Sequence, residues 1–192
     1  MVGKKNKDIL FEIYKDSRTV FRINDISILL GDIDDLLYKK LNYYVNTGKL
    51  LNPRRGIYAK ENYNAEELAC LLYTPTYISL GYVLQRNSVI FQYDSAITNI
   101  SYLSREIVVG KQKIQYRQIK GEILLNTAGI INRDNINIAT PERAFLDTLY
   151  LTKYFYFDNI NPHCISRRIN IHKFSRMIFL KKQFCVLRIF CF

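Results

Sequence analysis

VFRINDISILLGDIDDLLYKKLNYYVNTGKLLNPRRGIYAK, residues 20–60, decides how the rest of the chain is read. Ile26, Leu29 and Leu30 fall at i, i+3 and i+4, so they share one face of a short helix. Asn24 or Asp25 can cap its start, and Gly31 supplies the permissive backbone that ends it. Asp32 or Asp34 can then cap a second helix, in which Leu37, Leu41, Tyr44 and Val45 recur at helical spacing until Gly48 closes it. Beyond it, Leu50 and Leu51, then Ile57 and Tyr58, flank Asn52-Pro53-Arg54-Arg55-Gly56. Pro and Gly between two short apolar runs predict a β-hairpin, with Arg54 and Arg55 at its tip. Helix, Gly turn, helix and hairpin is the order of a winged helix-turn-helix, which makes double-stranded DNA the expected partner.

The positions between the apolar ones supply the candidate contacts. Tyr38, Lys39, Lys40, Asn42 and Tyr43 are expected to face outward from the second helix, with Lys49 just beyond it and Arg54 and Arg55 on the wing. Cations, amides and phenols are the groups that reach phosphates and base edges. Asp32, Asp34 and Asp35 repel phosphate, but they also cap the helix and complement its dipole.

Charge is distributed unevenly. Residues 1–60 carry 12 Lys+Arg against 7 Asp+Glu, residues 61–161 carry 9 against 10, and residues 162–192 carry 7 against 0. The first excess falls on the expected DNA-binding domain (1–60), whereas the neutral middle (61–161) is not expected to be a second nucleic-acid surface. The start MVGKKNKD lacks an apolar signal core, and no run of 18 apolar residues occurs. A cytoplasmic protein with no membrane partner is therefore expected. Cys70, Cys164, Cys185 and Cys191 form no C-x-x-C pair and read as free thiols, so neither zinc nor any other cofactor is expected.

The middle segment predicts an α+β module. Asn64 caps a helix through Leu72, and a second helix is expected from about Thr76 to Gln85, with Pro75 setting its start. NISYLSREIVV (99–109) and KQKIQYRQI (111–119) read as the two arms of a hairpin turning at Gly110-Lys111, and NINIA (135–139) as a short strand. Thr140-Pro141-Glu142 announces a helix, with Thr as cap, Pro at the first position and an acid at the positive end. Ala144, Phe145, Leu146, Leu149 and Tyr150 form its apolar face. Catalysis is not expected. His163 and His172 lie in the tail, Cys70 sits on an apolar helix, and Ser101 and Ser104 have no base nearby in sequence. Glu142 and Asp147 diverge around their helix, while Arg143 and Asp147, four apart, are placed to pair with each other.

Several segments resemble the AbiEi family, the antitoxins of bacterial type IV abortive-infection toxin–antitoxin systems. They are Val20 to Lys60, LYTPTYISLGYVL (72–84), VIFQYDSAITNISYLSREI (89–107) and, most specifically, ATPERAFLDTLYL (139–151) with its following FDN. The likeness covers about residues 8 to 161. It implies an N-terminal winged helix-turn-helix that represses its own operon at promoter inverted repeats, joined to an α+β antitoxin domain active in phage defence. The implied counterpart is a nucleotidyltransferase-like toxin, countered without a stable complex. Ile23 stands where the family often has a Ser or Thr cap. From Pro162 the chain departs from the family's helical ending: residues 162–192 hold no Asp or Glu, three of the four cysteines and both histidines. That composition is what an A+T-rich gene yields when translated out of frame, which would leave the antitoxin domain incomplete. A basic amphipathic helix for membrane or nucleic acid, or a partner helix, are the alternatives. A generic winged-helix binding module without antitoxin activity is the other functional reading.

Overall fold

The computed structural model describes residues 8–31, 35–90 and 94–152. The aspartates expected to cap the second helix (Asp32 and Asp34) and the whole of residues 162–192, with Cys164, Cys185, Cys191, His163 and His172, lie outside them. The described residues form a mixed α+β protein of seven helices and two sheets.

The first part runs α1 (Ile9–Lys15), β1 (Val20–Arg22), α2 (Ile23–Leu30), α3 (Asp35–Asn46), β2 (Leu51–Arg54) and β3 (Ile57–Ala59). Its three strands pair in the order β1-β3-β2, all antiparallel. Helix α1 and strand β1 are additions to the sequence reading. A seven-residue helix and a three-residue strand are too short to show a period. The cap of α2 also differs: Arg22 is the N-cap residue, and Asp25 reaches back to accept from its backbone N–H at 2.9 Å. Gly31 ends α2 in the left-handed conformation (φ 73°), where its N–H bonds Ser27 O at 3.0 Å.

The register of the small sheet gives its two faces different work. Val20 is paired with Ala59, Phe21 with Tyr58, and Arg22 with Ile57. Successive side chains on a strand point to opposite faces. Phe21 and Tyr58 therefore enter one buried cluster with Ile9, Ile13, Ile26, Leu37, Leu41 and Leu50. Val20, Ile57 and Ala59 enter another, with Leu68, Ala69 and the core of the second part. Thr19, just before β1, adds polar ties across the same boundary. Its N–H donates to the buried Glu67 at 2.9 Å, and its Oγ1 accepts from Asn64 N at 2.9 Å.

The second part runs α4 (Ala65–Leu72), β4 (Thr76–Ile78), α5 (Gly81–Arg86), β5 (Ile97–Ser101), β6 (Arg105–Val109), β7 (Gln112–Gln118), α6 (Gly121–Leu124), β8 (Ile130–Arg133), β9 (Ile136–Ala139) and α7 (Pro141–Leu151). Six strands pair in the order β6-β7-β5-β4-β9-β8. Asn64 caps α4 by accepting from Glu66 N at 2.9 Å, and Thr140 caps α7 by accepting from Arg143 N at 3.3 Å.

The second part departs from the sequence expectation in two places. Thr76–Ile78 is strand, and the helix begins only at Gly81. All three strand residues are buried, paired antiparallel with β5 on one side and parallel with β9 on the other. An apolar run buried on both faces carries no period that separates strand from helix. Residues 99–109 are likewise not one hairpin arm. Asn99 to Ser101 belong to β5, which lies parallel to β7, and only β6 forms the antiparallel hairpin with β7 through Gly110. The strand read in NINIA is β9. Its partner β8 turns into it through Asp134 and Asn135, both with positive φ.

Arg143 is 5 % exposed and Asp147 2 %. Arg143 Nε donates to Asp147 Oδ1 at 3.0 Å, and its remaining donors go to Tyr77 Oη (2.9 Å) and to the carbonyls of Asn126 (3.1 Å), Ala128 (2.9 Å) and Ile123 (2.8 Å). Asp147 Oδ2 accepts from Tyr77 Oη at 3.0 Å and Ser79 Oγ at 2.8 Å. One buried guanidinium thus joins α7, β4 and the segment that follows β7. Burial alone would lower the Arg143 pKa, but Asp147 and Tyr77 outweigh it and raise it.

Removing one member leaves a buried charge uncompensated, so Arg143→Met should cost about 3–5 kcal/mol in urea unfolding. The double variant Arg143→Met/Asp147→Leu should lose clearly less than the sum of the two single changes. Additive losses would show that the pair is not coupled.

Candidate nucleic-acid interface

Helix α3 packs by its Leu37 and Leu41 side, which are 4 % and 0 % exposed, with Tyr44 and Val45 half-buried against the same cluster. At 3.6 residues per turn the intervening positions must point away. Tyr38, Lys39, Lys40, Asn42, Tyr43 and Asn46 are all exposed. Lys49, also exposed, follows at the end of the helix, where its N–H bonds Tyr44 O at 2.9 Å and its own carbonyl accepts from Tyr14 Oη at 2.9 Å. Among the described residues, Lys39, Lys40 and Lys49 have no ion-pair partner. Among the described residues the face therefore offers three cations without an ion-pair partner, beside two phenols and two carboxamides.

The β2–β3 hairpin differs from expectation. The turn is the two-residue Arg55-Gly56, with Arg55 exposed and Gly56 at φ 77°. Arg54 is not at the tip. It belongs to β2 and pairs with Ile57, so it shares the face that Ile57 turns toward the second part. Its Nη1 donates to Tyr73 Oη at 3.1 Å, and its guanidinium lies 5.5 Å from the Tyr73 ring centre. An irregularity in β2 accompanies this placement, between the pairs Leu51–Ala59 and Arg54–Ile57. Pro53 has no N–H to donate there, and the Asn52 side-chain amide bonds Ile57 O at 2.9 Å instead.

Tyr73 was invisible as a site residue in the sequence because its partners are remote in the chain. Besides Arg54, Arg105 Nη1 donates to the same phenol oxygen at 3.2 Å. The rings of Tyr116 and Tyr102 lie edge-on to Tyr73 at 4.8 and 6.5 Å. Burial pushes the Tyr73 phenol up, but the hydrogen bonds and charges of the two arginines outweigh it and lower its pKa. Arg22, also from the small sheet, reaches the residues flanking Tyr73, with Nη2 donating to Thr74 Oγ1 at 2.9 Å and to Leu71 O.

Among the described residues, two further reactive groups, Cys70 and Asp147, are buried. Cys70 is a buried free thiol, and burial pushes it up to about 12, so it stays protonated near neutral pH. Asp147 is held by Arg143. Among the described residues no group of three His, Cys, Asp or Glu stands together to hold a metal, and no helix is long and apolar enough to cross a membrane. No protein-family model and no curated protein matches this chain.

The two sides of α3 make opposite predictions for stability. Leu41→Ala should cost about 2–5 kcal/mol, whereas Lys39→Ala and Asn42→Ala should stay within about 0.5 kcal/mol of the parent in chemical denaturation. A large loss on the exposed side would mean that those residues hold the fold rather than face a partner.

Proposed function

We propose that the chain is a DNA-binding autorepressor and antitoxin of a type IV toxin–antitoxin system, acting in the cytoplasm. The carrying observation is the exposed α3 face of Tyr38, Lys39, Lys40, Asn42, Tyr43 and Lys49, whose cations have no described ion-pair partner. The order α1-β1-α2-α3-β2-β3, with an antiparallel three-stranded sheet, supports reading residues up to Lys60 as a winged helix-turn-helix. In that reading α3 is the recognition helix. It enters the major groove, Asn42 reads a base edge, the lysines and tyrosines hold phosphates, and Arg55 at the wing tip reaches the backbone. The operator is the protein's own promoter, with inverted repeats.

The antitoxin half of the proposal rests on the likeness of ATPERAFLDTLYL to the AbiEi family. In this fold that segment is the end of β9, the Thr140 cap and α7, with Arg143 and Asp147 buried. Those residues act by holding the domain together. Residues 61–161 then counter a nucleotidyltransferase-like toxin without a stable complex. A generic winged-helix interaction module is the second reading. It is favoured by the apolar side chains left in solvent on the first part, Phe11 at 62 % and Ile28 at 77 % exposed.

Fluorescence anisotropy on the upstream promoter tests the first half. Asn42→Ala should relax discrimination between native and scrambled fragments by about 1–3 kcal/mol while sparing non-specific binding. Equal losses on both fragments would remove Asn42 from base readout, and no promoter binding by the parent protein would remove the repressor. Rescue of growth on co-expression with the neighbouring nucleotidyltransferase-like gene tests the second half. Promoter binding without rescue would favour the generic module.

A further inference from the structure

Two guanidinium groups converge on one neutral oxygen at the junction of the two sheets. Arg54, from the small sheet, and Arg105, at the start of edge strand β6, both donate to Tyr73 Oη, at 3.1 and 3.2 Å. Among the described residues no carboxylate forms an ion pair with either. Glu106, next along β6, belongs to the other face of that strand and is spent on Lys113 at 3.0 Å and Gln115 at 2.9 Å. Asp25, the acid of helix α2, accepts from Arg22 N at 2.9 Å.

Like charges brought this close without a counter-charge make a position where an anion is favoured. The arrangement is also held in shape. Tyr73 is packed against Tyr116, Arg54 lies over the Tyr73 ring, and each arginine commits one nitrogen to the phenol. The rest of each planar donor fork has no described protein partner. A fixed fork matches the oxygens of a phosphate, and two such forks on one anchor match it better than a lysine would. Arg105 is exposed, as is Tyr102 beside it, so the site is open to solvent.

We propose that Arg54, Arg105 and Tyr73 form an oxyanion site that takes a phosphate group. The phosphate is either one on a DNA backbone leaving the wing at Arg55, the neighbour of Arg54, or that of a free phosphate monoester. Only the first source rests on the DNA-binding reading.

The test uses the full chain and two probes. Inorganic phosphate is titrated while the arginine Nε–H signals are followed by NMR, and promoter binding is measured across a salt series. The parent protein should show saturable shifts of two arginine signals, weakened about tenfold in Arg105→Ala and also in Tyr73→Phe, which keeps the ring but removes the anchor. Arg133→Ala, which removes an exposed cation from the opposite edge strand β8, should behave like the parent. If the phosphate comes from DNA, Arg105→Ala should also reduce the salt slope by about one, and Arg133→Ala should not. Phosphate binding with an unchanged slope assigns the site to a free monoester. No response of either probe to Arg105→Ala and Tyr73→Phe, or an equal response to Arg133→Ala, overturns the site. Failure of the parent protein to bind promoter DNA would count against the repressor reading, and the phosphate titration would still decide this site.

Discussion

Alternation along two short strands carries the rest of the structure. In β1 and β3, Phe21 and Tyr58 point into the helical cluster with Leu37 and Leu41, while Val20, Ile57 and Ala59 point into the core that contains Leu68 and Ala69. A small antiparallel sheet needs at least one buried apolar face to be stable. With both faces buried it serves two cores, and the orientation of α3 follows, since α3 packs on the Phe21–Tyr58 side. A one-residue slip in register would exchange the two faces. Asn52, bonded to Ile57 O, compensates for the proline that interrupts the edge strand and keeps Arg54 opposite Ile57.

The same alternation divides the cations between two surfaces. Arg22 and Arg54 share the Ile57 face and are drawn to Leu71, Tyr73 and Thr74. Arg55, one residue on in the turn, is exposed. Lys39, Lys40 and Lys49 lie on and just beyond the outer side of α3. A basic net charge alone would not distinguish these groups. Their value to a partner depends on which have no protein acceptor, and that is decided by strand parity and helical phase.

The second part is held by a different device. Arg143 bonds an acid, a phenol and three main-chain carbonyls, so its charge is compensated and every donor is used. The carbonyls of Ile123, Asn126 and Ala128 lie in α6 and the segment after it. A buried cation that satisfies them fixes the path of the chain from β7 to β8 and the seat of α7 at once.

Local rules make much of this legible in the sequence. The Ile26/Leu29/Leu30 and Leu37/Leu41/Tyr44/Val45 stripes, the Gly31 terminus, the Asn64 and Thr140 caps and the Arg143–Asp147 pair all depend on groups within a few residues of one another. So does the outward set Tyr38, Lys39, Lys40, Asn42 and Tyr43, because helical phase alone exposes it. What the sequence by itself determined was therefore the helix faces, the Asn64 and Thr140 caps and the hairpin turn at Gly110. Tertiary structure decided where free energy came from distant neighbours. Thr76–Ile78 became a central strand because β5 and β9 flank it, Asn99–Ser101 separated from β6 to lie parallel to β7, and Arg54 left the hairpin tip because Ile57 and Tyr73 hold it. The meeting of Arg54 and Arg105 on Tyr73 joins residues 19 and 32 positions from that tyrosine. No period or spacing encodes such a contact, since it exists only when two sheets are brought together by the burial of the face between them.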